Sequence, residues 1–104
     1  LLLASMKKGQ ITLETLLALL CEKPAQLLHL PKGKIEVGRD ADFVVVDVKK
    51  IETITADHLH SKCGWTPFEG FPAIFPTMVF IRGESIIEDH QLLVKQGFGK
   101  CVGV

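Results

Sequence analysis

Two histidines one residue apart, His58-Leu59-His60, with Cys63 three residues on, are the side chains in this sequence best suited to hold a metal ion. In an extended strand residues two apart point to the same face, so both imidazoles could reach one ion. A structural zinc site needs a fourth donor, and none stands at an obvious spacing. The favoured reading is polar side chains leading into a loop. Asp40 and Asp42 form a second candidate, a carboxylate pair of the kind that shares acid and base work. They flank a turn, where Asp commonly bonds its own backbone, and the turn role is expected of them. Asp47, ending a strand, and Glu69, before Gly70, have the same standing. Ser61-Lys62 has the residue types of a nucleophile and its base, but neighbours in extended chain point apart, so no chemistry is assigned to the pair. Trp65, Phe68, Phe71 and Phe75 could floor a pocket for a planar ring. In a long loop they are expected instead to pack the loop onto its own domain.

The elements that must position these groups follow from the apolar periodicity. Leu13, Leu16, Leu17 and Leu20 recur at helical spacing after a candidate N-cap at Thr12, which predicts a helix over Thr12–Glu22. Pro24 suits the first turn of a second, shorter helix through Leu28, ended by Pro31-Lys32-Gly33. From Lys34 the period changes. Ile35 and Val37 alternate with polar residues, Gly38-Arg39-Asp40 reads as a turn, and Phe43–Val46 is a β-branched run, so a hairpin is expected between these two segments. Ile51–Thr55 is a further candidate strand, and residues 61–76 a long packed loop. Met78–Ile81 and Ser85–Ile87 flank Arg82-Gly83-Glu84 as a last hairpin, in which Gly83 supplies the positive φ of a tight turn. Helices first and strands afterwards is an α+β order, in which the two sets could belong to different layers of a larger protein.

Composition narrows the partners. The chain has 104 residues, 47% of them hydrophobic, with 12 basic and 12 acidic side chains and a formal net charge of zero. That is one globular unit at most, able to bury roughly 65% of the surface its unfolded chain exposes. A neutral chain has no long-range field for phosphate backbones or anionic lipid, so neither nucleic acid nor membrane is expected as a partner. Its apolar runs fall far short of the about 20 residues of a membrane-spanning helix. Cys21, Cys63 and Cys101 are odd in number and irregular in spacing, which reads as reduced thiols and a cytoplasmic setting rather than a disulfide framework. Leu1 is not an initiating Met and Leu1–Ala4 is no signal peptide, so upstream sequence is expected to have been removed.

Two segments carry a family resemblance. Lys23-Pro24-Ala25-Gln26-Leu27-Leu28-His29-Leu30, followed by Gly33–Asp47 with its Gly38-Arg39-Asp40-Ala41-Asp42 core, resembles the C-terminal signature of the amidohydrolase superfamily. Ser61-Lys62-Cys63-Gly64-Trp65-Thr66-Pro67-Phe68-Glu69-Gly70, with Thr77–Gly83 after it, is similar to the dihydroorotase branch, and hydantoinases and allantoinases are similar here too. The resemblance spans roughly Thr12–Gly99 but only the tail of the family's usual length. It implies that residues 1–32 are the last helices of a metal-bearing TIM-type barrel, and that residues 33–104 belong to a composite β-sandwich beside it. It further implies a parent that reversibly hydrolyses a cyclic amide, with zinc held by a His-x-His pair, a carboxylated Lys, two further His and an Asp. All of these lie upstream of a segment like this one. Zinc acidifies its bound water and polarises the carbonyl, so a chain without the ligands has no nucleophile.

On this reading no residue of the chain is catalytic, binds substrate or ligates metal, and the partner to expect is the N-terminal barrel of the same enzyme. His58 and His60 stand near the end of the chain, whereas the family's metal-binding pair lies near its start. A competing reading is a structural or interaction module presenting the leucine face of the first helix. The fragment reading predicts an exposed apolar patch where the barrel was, and self-association through it.

Overall fold

A computed structural model describes residues 1–102 of the chain. It begins with a helix that the periodicity did not announce, α1 (Leu2–Lys7), which packs against a short strand far along the chain. Ala4 is the buried residue of its inner side, and the Lys7 ammonium donates to the carbonyl of Val48 at 2.8 Å.

Thr12 starts the next helix as expected. Its backbone is extended and its hydroxyl accepts from the Thr15 amide at 3.2 Å, which satisfies one of the donors a helix start leaves open. From there α2 (Leu13–Leu17), a π-helical turn (Ala18–Glu22) and α3 (Lys23–Leu27) run on as one rod. The two helices expected over 12–22 and 24–28 are therefore a single element. The proline does not break it because the wider turn just ahead of Pro24 makes room for a ring that would otherwise strike the carbonyl four residues back. The rod ends at His29, earlier than Pro31. His29 takes a left-handed φ of 53°, with Leu30 N–H bonded to Ala25 C=O at 2.9 Å and His29 N–H to Gln26 C=O at 3.2 Å. This is the Schellman arrangement, with histidine where glycine is usual.

The hairpin expected between Ile35–Val37 and Phe43–Val46 does not form. Residues 34–42 are irregular, held by the Asp40 amide on the Pro31 carbonyl at 2.8 Å, and Ile35 and Val37 are 92% and 102% exposed. Alternation in the sequence needs a partner strand to become structure, and β1 (Phe43–Val46) takes a distant partner instead. It pairs antiparallel with β4 (Pro76–Ile81), which pairs with β5 (Glu84–Glu88), which pairs with β6 (Gln91–Leu92), in the order β1-β4-β5-β6. A separate ribbon joins β2 (Glu52–Thr53) to β3 (Pro72–Ala73).

The β4–β5 hairpin is the one expected. Arg82 and Gly83 have φ of 52° and 79°, the two positive values of a type I′ turn. The β5–β6 connection repeats this with Asp89 and His90, at 42° and 67°. Phe43 and Phe80, opposite one another in the ladder, stack with ring centroids 4.6 Å apart.

The core is thin. Its buried members are Ala4, Leu16, Ala25, Ile54, Ala73, Ile74 and Ile86, with no large side chain wholly enclosed among the described residues. Of the four leucines expected to form the inner helix face, Leu16 alone is buried, while Leu13, Leu17 and Leu20 are 44–53% exposed.

Candidate functional site

Three clusters of chemically active side chains emerge, and each differs from its expected form. The first centres on Lys32, just past the rod. Its ammonium lies 2.7 Å from Asp40 Oδ2 and also contacts Asp42 Oδ2, while Asp42 Oδ1 accepts from the Arg82 amide at 2.8 Å. Asp40 and Asp42 thus do not bond their own turn. Lys32 reaches them because the irregular segment folds back on the end of the rod, and the hairpin tip presents its amide to the other side of Asp42. The Asp40 hydrogen bond, then that of Asp42, raises the Lys32 pKa above its ordinary value. The Lys32 hydrogen bond, then the Arg82 amide, holds the Asp42 carboxyl below its own. The Arg82 guanidinium in turn sits 4.7 Å over the Phe98 ring and donates to the Phe98 carbonyl at 3.0 Å. With one lysine shared between two aspartates, the cluster is an internal tie between rod, sheet and tail.

The second cluster gathers His90, which sequence reasoning passed over. Its Nε2 is 3.1 Å from Glu52 Oε2, its ring centroid is 5.8 Å from that of His58, and Phe75 stands edge-on to it at 5.1 Å. Glu52 and His90 are 38 residues apart and no spacing rule links them. His58 closes a 3₁₀ turn (Ala56–His58) rather than lying in a strand, so His58 and His60 are not set as a same-face pair. Among the described residues no three His, Cys, Asp or Glu side chains are placed to hold one metal ion.

The third is the loop after the 3₁₀ turn. Cys63 is exposed, with Sγ 3.5 Å from Ser61 Oγ and 3.2 Å from the Trp65 carbonyl. The Ser61 hydroxyl, and after it the backbone at Trp65, hold the thiol below its ordinary pKa. Ser61 therefore partners Cys63 and not Lys62. Glu69 accepts from the Ala56 amide at 2.9 Å, and Asp47 accepts from the Lys49 amide at 2.9 Å, the local backbone role expected of it. Phe68 and Phe71 meet edge to face at 6.1 Å, which braces the loop on itself, whereas Trp65 is 64% exposed. The expected packing onto the domain is only partial for the phenylalanines, since Phe68 and Phe71 touch one another but stay 45% and 52% exposed, and it fails for the tryptophan.

Beside these clusters an apolar groove of about 750 Å³ opens between the rod and the sheet. Leu17, Leu20 and Leu28 line one wall, Ile35 the mouth, and Phe43 and Phe80 the other wall. Its chemistry is that of a surface for burial rather than of a reaction centre. Among the described residues no helix is long and apolar enough to cross a membrane.

A helical rod closed on a small antiparallel sheet defines a small α+β unit, and known proteins share that fold. Residues 1–86 match the amidohydrolase family, and the chain belongs to that family. It is 48% identical to a dihydroorotase of Archaeoglobus fulgidus over 84 residues, which is 80% of this chain and 21% of that protein. It is 37% identical to an L-hydantoinase of Paenarthrobacter aurescens over 98 residues, 91% of this chain and 21% of that protein. The fold is similar to a solved L-hydantoinase (dihydropyrimidinase) from Arthrobacter aurescens, with a TM-score of 0.85 and 36% identity over 91% of this chain and 22% of that one. The chain spans about a fifth of the length of these relatives.

Proposed function

We propose that this chain serves within a zinc-dependent cyclic amidohydrolase of the dihydroorotase type, whose reaction is the reversible hydrolysis of the cyclic amide of dihydroorotate to carbamoyl aspartate in pyrimidine biosynthesis. The 48% identity to a dihydroorotase is the observation that carries this reading. The division of labour is scaffold against chemistry. Residues 1–32 supply the last helices of the barrel and residues 33–104 the neighbouring β-sandwich portion, while zinc, its ligands and the substrate contacts belong to the remainder of the parent. The exposed leucines of the rod and the open groove support it, since apolar surface of this extent is stabilised by burial against a larger partner. The three free cysteines suit a cytoplasmic enzyme.

A hydantoinase reading is the alternative, favoured by the TM-score of 0.85 to the L-hydantoinase. Joining this chain to the rest of its parent and assaying the product with dihydroorotate and with a hydantoin, both with zinc and after chelation, separates the two. The expected result is zinc-dependent turnover of dihydroorotate in the joined protein and none in the chain by itself. Preference for the hydantoin would overturn the substrate assignment. Turnover by the chain by itself would overturn the division of labour.

A further inference from the structure

The turn between β5 and β6 is built without glycine. Asp89 and His90 hold φ of 42° and 67°, and left-handed backbone at two successive non-glycine residues persists only where the surroundings fix it. The Asp89 amide donates to the Thr77 carbonyl at 2.9 Å, which fixes the first of the two. What holds the second comes from the other sheet. β2 belongs to a ribbon that shares no strand with the four-stranded sheet, so side chains and connecting segments alone join the two. Lys50 and Glu52 reach across that gap from the start of the ribbon. Lys50 Nζ lies 4.0 Å from Asp89 Oδ1, and His90 Nε2 lies 3.3 and 3.1 Å from the two Glu52 carboxylate oxygens. The Glu52 and His90 side chains are each 30% exposed, against 48% for Lys50 and 81% for Asp89, so the histidine pair is the better shielded from water.

Of these four side chains, histidine is the type that gains and loses a proton near neutral pH. Facing its ring are the Glu52 carboxylate from β2, the His58 imidazole from the 3₁₀ turn at 5.8 Å between centroids, and the edge of Phe75 at 5.1 Å. Asp89 precedes it in the chain, with Lys50 beyond. Coulomb energy falls in proportion to distance, so under equal screening the attraction to Glu52 at 3.1 Å is about twice the repulsion from a charged His58 at 5.8 Å. The contact therefore favours the imidazolium. A neutral ring keeps a hydrogen bond but loses the attraction of opposite charges.

We propose that His90 and Glu52 form a proton-dependent clasp between the two sheets, in which the imidazolium holds the strained β5–β6 turn against β2 and loss of the proton loosens both. The loop of residues 56–71 is loosened with them. Its two ends meet at the ribbon, where the Ile54 amide donates to the Phe71 carbonyl and the Gly70 amide to the Ile54 carbonyl, each at 2.9 Å. The clasp is a property of this chain and does not rest on the parent reaction.

Amide hydrogen exchange of the 104-residue chain on the two sides of the imidazole titration, at about pH 5.5 and about pH 7.5, tests it once each rate is corrected for intrinsic exchange. Two amides report the clasp: Leu93, bonded to the Ile86 carbonyl in β5, and Ile54 in the ribbon. Both are expected to be about threefold better protected at the lower pH, the size of effect a part-exposed ion pair gives. The Leu16 amide of the rod, bonded to the Thr12 carbonyl, should be protected equally at both. Glu52→Gln keeps an oxygen acceptor without the charge, and His90→Asn keeps a residue that tolerates left-handed backbone without a titrating ring. Each should abolish the difference with unchanged far-UV circular dichroism. His58→Gln removes the opposing charge and should enlarge it. Equal protection of Leu93 and Ile54 at the two pH values in the unaltered chain overturns the proposal, as does a difference that survives in His90→Asn. A difference lost in His58→Gln would make His58 the titrating group and overturns it as well.

Discussion

The β4–β5 hairpin and the helical rod are both amphipathic by sequence, yet only the hairpin has its requirements met within the chain. Its turn residues take the two positive φ values that a type I′ turn needs, its partner strands lie on either side, and the Asp42 carboxylate caps the Arg82 amide at its tip. The rod has an N-cap, a Schellman end and a room-making turn before its proline, so its ends and backbone are equally well formed. Its leucine stripe nevertheless stays largely uncovered. Local chemistry builds an element, and only packing tells which of its faces is an inside. On the proposed reading, within a longer amidohydrolase, the rod is the part whose complement would lie in another surface.

The largest way to disturb this contrast is at the join between the two regions. Gly33 has φ +85°, and a Cβ built there would lie 2.5 Å from the Cys21 carbonyl oxygen, which is backbone of the rod and cannot step aside. Gly33→Val is expected to destabilise the chain by on the order of 4 kcal/mol, combining strain with a clash. Urea denaturation checks it, and a midpoint near that of the unaltered chain would mean the rod is not seated on this segment. Within the rod, Leu16→Ala should cost about 3 kcal/mol and Leu20→Ala no more than about 0.5 kcal/mol, because Leu16 is 5% exposed and Leu20 is 53% exposed. Equal losses at the two positions would show that the rod's outer face is already buried in the isolated chain.

In the hairpin, Gly83→Val should cost about 2 kcal/mol from strain alone, since the added Cβ would meet Ala41 at an ordinary 3.8 Å. Thermal melting measures it, and an unchanged midpoint would contradict the turn. The smallest effect is electrostatic. The Asp42 carboxyl is held below its unfolded value of 3.8, so its contribution is present above that pH and lost as pH falls through the lower folded value. Lys32 is raised above 10.5, so its contribution is present below that pH and lost only as pH rises through the higher folded value. Asp42→Asn should therefore cost about 1.5 kcal/mol at neutral pH and flatten the acid limb of the stability profile. An acid limb identical in the variant would place the loss elsewhere.

Much of the site region was illegible in advance for a physical reason. The helix start at Thr12 and the turn at Arg82-Gly83 depend on interactions three or fewer residues apart, so residue types sufficed. The merging of two expected helices into one rod depended on a π turn, which no apolar period announces. Ile35 and Val37 alternate as a strand should, but a strand exists only where a partner offers its edge, and β4 took β1 instead. Lys32 with Asp40 and Asp42, His90 with Glu52, and Arg82 with Phe98 are brought together by tertiary folding across 8 to 38 residues. The histidine pair at 58 and 60 was visible as a motif, yet its conformation is a 3₁₀ turn end.

By itself the amino-acid sequence determined the α+β order, the N-cap, the final hairpin and, through two quoted segments, the resemblance that the family match bears out. These rest on local stereochemistry or on strings of residues, both of which survive in one dimension. Tertiary structure alone decided which leucine is inside, which strand β1 pairs with, and which charges neutralise one another. Each of those depends on what stands within a few ångströms in space, and burial and ion pairing have no sequence period of their own.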